Sequence, residues 1–211
     1  MISATRIGRA SYNVFNQDMP RRACRAAAIL AFVLAAPLLG GCGSDTEGGE
    51  YGGTAPDYEE ALAGAPAPLA ALHGQANELL PGEAEAFEKR LAALEGFPVV
   101  VNKWASWCGP CRLEFPFFQN LSARYGTRVA FIGVDSEDSA DAAATFLGEF
   151  PVPYPSYSDP DQEVAEVFNA TLGFPSTAFY DADGELVFLK QGGYADQADL
   201  DADIRAHALG S

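Results

Sequence analysis

The chain has 211 residues, with 13 basic and 29 acidic side chains and a formal net charge of −16. Hydrophobic residues make up 48% and charged residues 20%, the balance of a globular protein rather than a mostly disordered one. The acid excess excludes a nucleic-acid-binding face, which needs basic side chains to displace the counterions around phosphate. Four cysteines, Cys24, Cys42, Cys108 and Cys111, are too few to staple a chain of this length, so their positions matter more than their number.

The N-terminus differs from the rest. Residues 1–41 hold five arginines (Arg6, Arg9, Arg21, Arg22, Arg25) and one acid, Asp18, a net +4 that leaves −20 on the remainder. A basic stretch ending at Arg25 runs into an uncharged apolar segment, Ala26 to Leu39, followed by small residues. That order predicts a signal peptide over 1–41. The run is shorter than the roughly 20 residues a spanning helix needs, so cleavage is expected over an uncleaved anchor. Leu39-Gly40-Gly41-Cys42 resembles the lipobox of bacterial lipoproteins, with Gly40 a less common residue at its place. The resemblance implies that Cys42 is acylated and holds the chain on the outer side of the cell membrane, at about 0.8 kcal/mol per buried CH₂. The alternative is an ordinary small-residue cleavage site that contains a cysteine. Arg21-Arg22 suggests a twin-arginine signal, but Ala23-Cys24-Arg25 fits that signal poorly. Met1 and Met19 are both candidate starts and give the same mature chain. Residues 42–68, rich in Gly, Pro, Ala and acids, read as a flexible tether, leaving a domain over 69–211. An anionic lipid surface would repel the acidic body, so attachment falls to the acyl group.

In chain order, Leu69 to Leu80 is expected as a short helix. Phe87, Leu91 and Leu94 recur at helical spacing and predict a second helix before Gly96. Pro98 to Trp104 (PVVVNKW) reads as a buried strand of the parallel kind. A helix is expected from Cys108 to about Tyr125, with Leu113, Phe117 and Leu121 as its apolar stripe. Val129 to Val134 (VAFIGV) predicts a second apolar strand, and Ala140 to Phe150 a helix with Phe146, Leu147 and Phe150 on its apolar side. Pro151, Pro153 and Pro155 break the chain. Val164 to Phe168 suggests a short helix. Ala178–Tyr180 and Leu186–Leu189 flank Asp183-Gly184, a hairpin signal. Leu200, Ile204 and Leu209 mark a closing helix. The order βαβα, hairpin, helix implies an α/β fold with a mixed sheet and helices on both faces.

Trp104-Ala105-Ser106-Trp107-Cys108-Gly109-Pro110-Cys111 joins the first strand to its helix. Two cysteines three apart at a helix start can close a small disulfide ring. The first sits where free backbone N–H groups and the helix dipole favour an anion, which lowers its pKa and populates the nucleophilic thiolate. The second lies one turn deeper, placed to attack a mixed disulfide. Pro110 fixes the backbone where no N–H bond is needed. The alternatives are a structural disulfide, which gains little from so short a loop, and half a zinc site, which lacks two ligands in a mature chain holding only His73 and His207.

WCGPC after a buried strand resembles the thioredoxin superfamily, and VVVNKWASWCGPCRLEFP is similar to the TlpA/ResA-like family of membrane-tethered bacterial thiol–disulfide oxidoreductases. The resemblance spans roughly Glu83 to Leu209 and implies a thioredoxin fold with an αβ insert around Ser139 to Pro160, an N-terminal extension, and no cofactor beyond a redox-active Cys108–Cys111 disulfide. Pro116 falls where the family has a kinking proline. Gly173-Phe174-Pro175-Ser176-Thr177 matches the family's cis-proline loop, so Pro175 is expected cis, although the residues alone also allow a trans turn proline. Glu114 is at the position where ResA-like members carry a glutamate that tunes proton transfer. Thioredoxins instead use an aspartate at the position of Asn102, which cannot titrate. Glu114 is thus the acid or base expected for Cys111, its alternative being a solvated helix acid. Lys103 departs from the aromatic residue usual in the family. A lysine there must snorkel, pair with an acid or stabilise a thiolate, and strand alternation points it away from Asn102.

These features imply an exported, lipid-anchored disulfide reductase. Cys108 attacks, Cys111 resolves with Glu114, and Trp107, Gly109, Pro110, Phe174 and Pro175 line the substrate groove, where the Phe174 backbone pairs with an extended segment. The implied substrates are apocytochrome c or other exported cysteine proteins, with a membrane thiol donor of the CcdA/DsbD type. The Gly-Pro spacer matches thioredoxin, whose potential is about −270 mV. The rivals are a disulfide-introducing oxidase with the same pair and a copper chaperone on the same fold. A peroxidase is excluded, since CGPC is not a peroxidatic pattern.

Overall fold

A computed structural model describes residues 55–210. The expected signal peptide, Cys24, Cys42 and residues 42–54 of the expected tether lie outside the described residues. Six strands, β1 (Leu79–Pro81), β2 (Val99–Trp104), β3 (Ala130–Ser136), β4 (Ser156–Asp159), β5 (Ser176–Tyr180) and β6 (Leu186–Gln191), form one sheet in the order β1-β4-β3-β2-β5-β6. The β1–β4, β4–β3 and β3–β2 pairs are parallel; β2–β5 and β5–β6 are antiparallel. The sheet is mixed, with helices on both faces, as the element order implies.

Alternation along β2 divides the core. Val100 and Trp104 face the helices α4 (Gly109–Tyr125) and α5 (Ala140–Glu149) and the C-terminal α7 (Gln197–Asp203), which continues as a π-helical turn over Ile204–Ala208. Val99 and Val101 face α2 (Ala67–His73), α3 (Ala84–Ala93) and α6 (Glu163–Val167). On the first face Trp104 stacks on Phe146 at 4.9 Å, and Phe115 meets Phe146 edge-on at 4.6 Å, so an aromatic cluster fastens α5 to α4. Gly133 makes room for this. A Cβ there would stand 2.9 Å from the Trp104 indole nitrogen, which donates to Ser156 Oγ.

Four expectations change. Residues 57–68, given to the tether by composition, carry a short helix, α1 (Tyr58–Ala61), and the start of α2. Tyr58 donates to the Pro151 carbonyl and Leu62 is buried, which is apolar burial enough to fold the segment. The helix expected over 69–80 ends at His73, and Leu79–Pro81 is instead an edge strand, ordered by pairing with Ser156–Ser158. That partner, β4, has no strand pattern of its own, since its residues SYSD follow three prolines. The stripe Leu113, Phe117, Leu121 is rotated. Leu113 is exposed and Phe117 half-buried, while Cys111, Phe115, Phe118, Leu121 and Tyr125 face the core, because Trp104 and Phe146 take up Phe115.

Candidate active site

β2 ends at Trp104, and α4 begins at Gly109 after four intervening residues. Cys108 is the N-cap of this 17-residue helix, with extended backbone and its Sγ accepting the Cys111 N–H at 3.2 Å. Gly109 and Pro110 occupy the first two helical positions, where a missing N–H costs nothing. Cys108 and Cys111 are joined as a disulfide, and both are buried. The connecting loop is pinned from the β3 side, where the Ser106 N–H donates to Asp138 Oδ2 at 2.6 Å. Trp107 is 57% exposed, yet its indole N–H is held by the Glu137 carbonyl. The Phe174–Pro175 bond is cis, and the Phe174 ring meets Trp107 edge-on at 4.9 Å, so the cis-proline loop faces the cysteine loop. Behind them lies Gly193. A Cβ there would stand 3.5 Å from Pro175 Cγ, 3.6 Å from Pro110 Cβ and 3.6 Å from Glu114 Oε2. The cysteine loop, the cis-proline and Glu114 therefore converge on one spot.

Glu114 is buried, not a solvated helix acid. Asn102 Nδ2 donates to its Oε1 at 2.9 Å and the Tyr194 backbone N–H to its Oε2 at 3.0 Å. Burial pushes the carboxyl up to about 7, although these two hydrogen bonds and the Lys190 charge pull it down. A group poised there exchanges a proton readily near neutral pH.

Lys103 points to the other face, as alternation requires. Its ammonium is buried and donates to Gln162 Oε1 and the Ala170 carbonyl, each at 2.8 Å, and to the Gly173 carbonyl at 3.5 Å. It also sits 4.0 Å from the centre of the Phe174 ring. Burial lowers its pKa, opposed by the charges of Glu137 and Asp159. Among the described residues the lysine therefore neither snorkels nor forms a direct ion pair; its ammonium is held by the loop that leads to Pro175.

Sequence reasoning missed two contributors. Tyr194 acts through its backbone, which no side-chain pattern reveals. Asp135, at the end of β3 and paired in register with Trp104, is wholly buried. Burial first, and then the charges of Asp138 and Asp159, push it up to about 8. Its signal was visible as an acid closing an otherwise apolar strand. The two histidines sit apart from the pair. His73 lies against Gly126 at the opposite end of α4, about 25 Å along a helix of this length, and His207 stacks on Phe188 at 4.1 Å. Among the described residues no group of three His, Cys, Asp or Glu is arranged to hold a metal ion.

A dithiol at a helix N-terminus, opposed by a cis-proline, defines the class as the thioredoxin superfamily. The Redoxin family model matches residues 62–204, and the chain belongs to that family. Its relatives are TlpA-like. It is 30% identical over 166 residues to the thiol:disulfide interchange protein DsbE of Escherichia coli K12, covering 79% of this chain and 83% of that one. It is 32% identical over 105 residues to the thiol-disulfide oxidoreductase ResA of Oceanobacillus iheyensis, covering 49% of this chain and 54% of that one. The matched segment is about half the length of ResA and of CycY from Rhizobium leguminosarum. Among solved structures it is similar to a DsbE-like protein from Chlorobium tepidum, with a TM-score of 0.51 and 27% identity over 56% of this chain and 84% of that one. It is also similar to a DsbF homologue from Corynebacterium diphtheriae, with a TM-score of 0.51 and 25% identity over 55% of this chain and 75% of that one.

Proposed function

We propose that this chain is an extracytoplasmic thiol–disulfide oxidoreductase that reduces disulfides in exported proteins. The observation that carries the reading is a cysteine pair at the N-terminus of α4 with a buried carboxyl, Glu114, held near neutral pKa one turn further on. In the reduced protein the Cys108 thiolate attacks a substrate disulfide. One substrate sulfur leaves as a thiolate, and a Cys108–substrate disulfide forms. Cys111 gives its proton to Glu114 and attacks Cys108 Sγ, releasing the second substrate thiolate and closing Cys108–Cys111. The protein is oxidised by two electrons and the substrate reduced by two. Trp107, Gly109, Pro110, Phe174 and Pro175 form the groove, where the Phe174 backbone pairs with an extended substrate segment.

The relatives' names, thiol:disulfide interchange protein and thiol-disulfide oxidoreductase, support the class of reaction. Apocytochrome c or similar exported cysteine proteins are the proposed substrates, and a membrane thiol donor of the CcdA/DsbD type the proposed reductant. The chain would be held to the membrane through an acylated Cys42.

Equilibrating the Cys108–Cys111 pair against glutathione tests the direction. The reductase reading expects a potential near that of thioredoxin, about −270 mV, and a value above about −150 mV overturns it in favour of an oxidase. Cys111→Ser is expected to accumulate the mixed disulfide, and equal trapping by Cys108→Ser would reverse the assigned roles.

A further inference from the structure

Lys103 is buried on the face of β2 away from Glu114, and the mechanism does not use it. A buried ammonium is expensive unless it is fully hydrogen-bonded. Here every partner named for it belongs to one stretch of chain running from α6 to the cis-proline: Gln162, Ala170, Gly173 and the Phe174 ring. Gln162 holds a left-handed backbone at φ 62°, a conformation L-residues rarely adopt, while its side chain reaches Lys103. The ammonium touches one side of the Phe174 system and Trp107, the residue before Cys108, touches it too, at 4.9 Å. A chain of contacts thus runs from Lys103 through Phe174 to the cysteine loop. The carboxylates whose charges favour its protonated form, Glu137 and Asp159, also lie by this face, and the Glu137 main-chain carbonyl accepts from the Trp107 indole.

We propose that Lys103 is a positioning residue for substrate recognition, its ammonium fixing the Ala170–Phe174 segment and so the placement of the cis-proline loop against which an extended disulfide-bearing segment aligns. The proposal rests on the oxidoreductase reading above. It predicts selectivity between substrates that use the groove and substrates too short to reach it. Its rival is direct stabilisation of the Cys108 thiolate by the lysine charge, which acts on every substrate alike.

The test uses Lys103→Met, which keeps the aliphatic stem and removes the ammonium from the Gln162, Ala170 and Gly173 oxygens. Two probes are compared with the reduced protein: a short linear peptide whose single cysteine is a mixed disulfide with thionitrobenzoate, and the same mixed disulfide on free cysteine. In single-turnover reactions of excess probe with the reduced protein, the expected result is a rise of about tenfold in the half-saturating peptide concentration with the maximal rate constant changed less than twofold, so that the peptide-to-cysteine ratio of second-order rate constants falls about tenfold. Parallel loss with both probes overturns the proposal. So does a shift in the Cys108 pKa, or in the equilibrium with glutathione, at an unchanged ratio. If Lys103→Met does not fold, Gln162→Leu removes one of the acceptors instead, and the ratio is expected to fall about threefold, an unchanged ratio being fatal. Failure of the wild-type protein to release thionitrobenzoate from either probe, in a manner abolished by Cys108→Ser, would sink the functional reading itself.

Discussion

Asn102 and Lys103 are consecutive on β2, yet the two faces they open on use a buried ionisable group in opposite ways. On the α4 face, Asn102 and the Tyr194 backbone give Glu114 two donors, short of what a buried carboxylate needs, and its pKa settles at about 7. On the α6 face, Lys103 receives two acceptors at 2.8 Å, a third at 3.5 Å and an aromatic ring. The first group is undersolvated, so it changes charge easily and suits proton transfer. The second, although burial lowers its pKa as well, has its ammonium taken up by the acceptors of one loop and suits holding that loop in place. Burial alone thus says little about a charged group's job; the number and kind of its partners says more.

The harshest way to break this comparison is to reverse the charge on the holding face. Lys103→Glu would set a carboxylate against the Ala170 and Gly173 carbonyls and Gln162 Oε1, and an uncompensated buried charge of this kind costs about 3–5 kcal/mol. Urea unfolding should show that loss, and a variant as stable as wild type would mean that water reaches this face of β2.

The proton-transfer face should reveal itself through pH. Glu114 is raised from 4.5 to about 7 and Asp135 from 3.8 to about 8. Between roughly pH 4 and 8 the folded chain therefore binds more protons than the unfolded chain, and these groups make stability fall as pH rises. Glu114→Gln removes one of the two. The variant should match wild type near pH 4 and exceed it at pH 8 by up to roughly 3 kcal/mol, from the shift of Glu114 at about 1.4 kcal/mol per pKa unit. Urea midpoints at the two pH values check this, and a pH-independent difference would contradict it. In single-turnover kinetics at pH 7 the same variant should slow resolution of the mixed disulfide by about 10²-fold, the loss expected of a general base, while the first attack by Cys108 is unchanged.

How far such contrasts were legible beforehand varies by element. The valine run of β2, the helix behind CGPC and the Asp183-Gly184 hairpin announce themselves, because their patterns are local; Gly184 takes the positive φ, 82°, that the turn demands. Strands β1 and β4 were hidden, since Leu79–Pro81 is ordered only by a partner more than seventy residues away with no apolar alternation. The face of α4 was misjudged because Leu113 and Phe117 share the helical period with Phe115 and Phe118, and only the Trp104–Phe146 cluster selects between them. At the site, the cysteines and Glu114 could be read from spacing and resemblance. The partners of Lys103 could not, for they lie 59 to 70 residues further along the chain.

The finest test lies in the Asn102–Glu114 contact itself. Asn102 Nδ2 donates to Glu114, whereas its Oδ1 is buried with no hydrogen-bond partner among the described residues. Asn102→Leu, which keeps the branching of the side chain, deletes both. The lost donor had favoured the ionised carboxyl, so the Glu114 pKa should climb further, by less than about one unit for a hydrogen bond worth about 1 kcal/mol. Stability should fall by about 1 kcal/mol, because Glu114 Oε1 is left buried without its donor, a loss only partly offset by the disappearance of the Asn102 Oδ1 desolvation penalty. Carbon-13 NMR of the Glu114 carboxyl reads the shift, and a pKa that falls would mean that the carboxyl is governed by something other than burial and these donors. The peptide-to-cysteine preference should not move at all, because Asn102 faces α4 and the recognition loop is held from the opposite side of the strand.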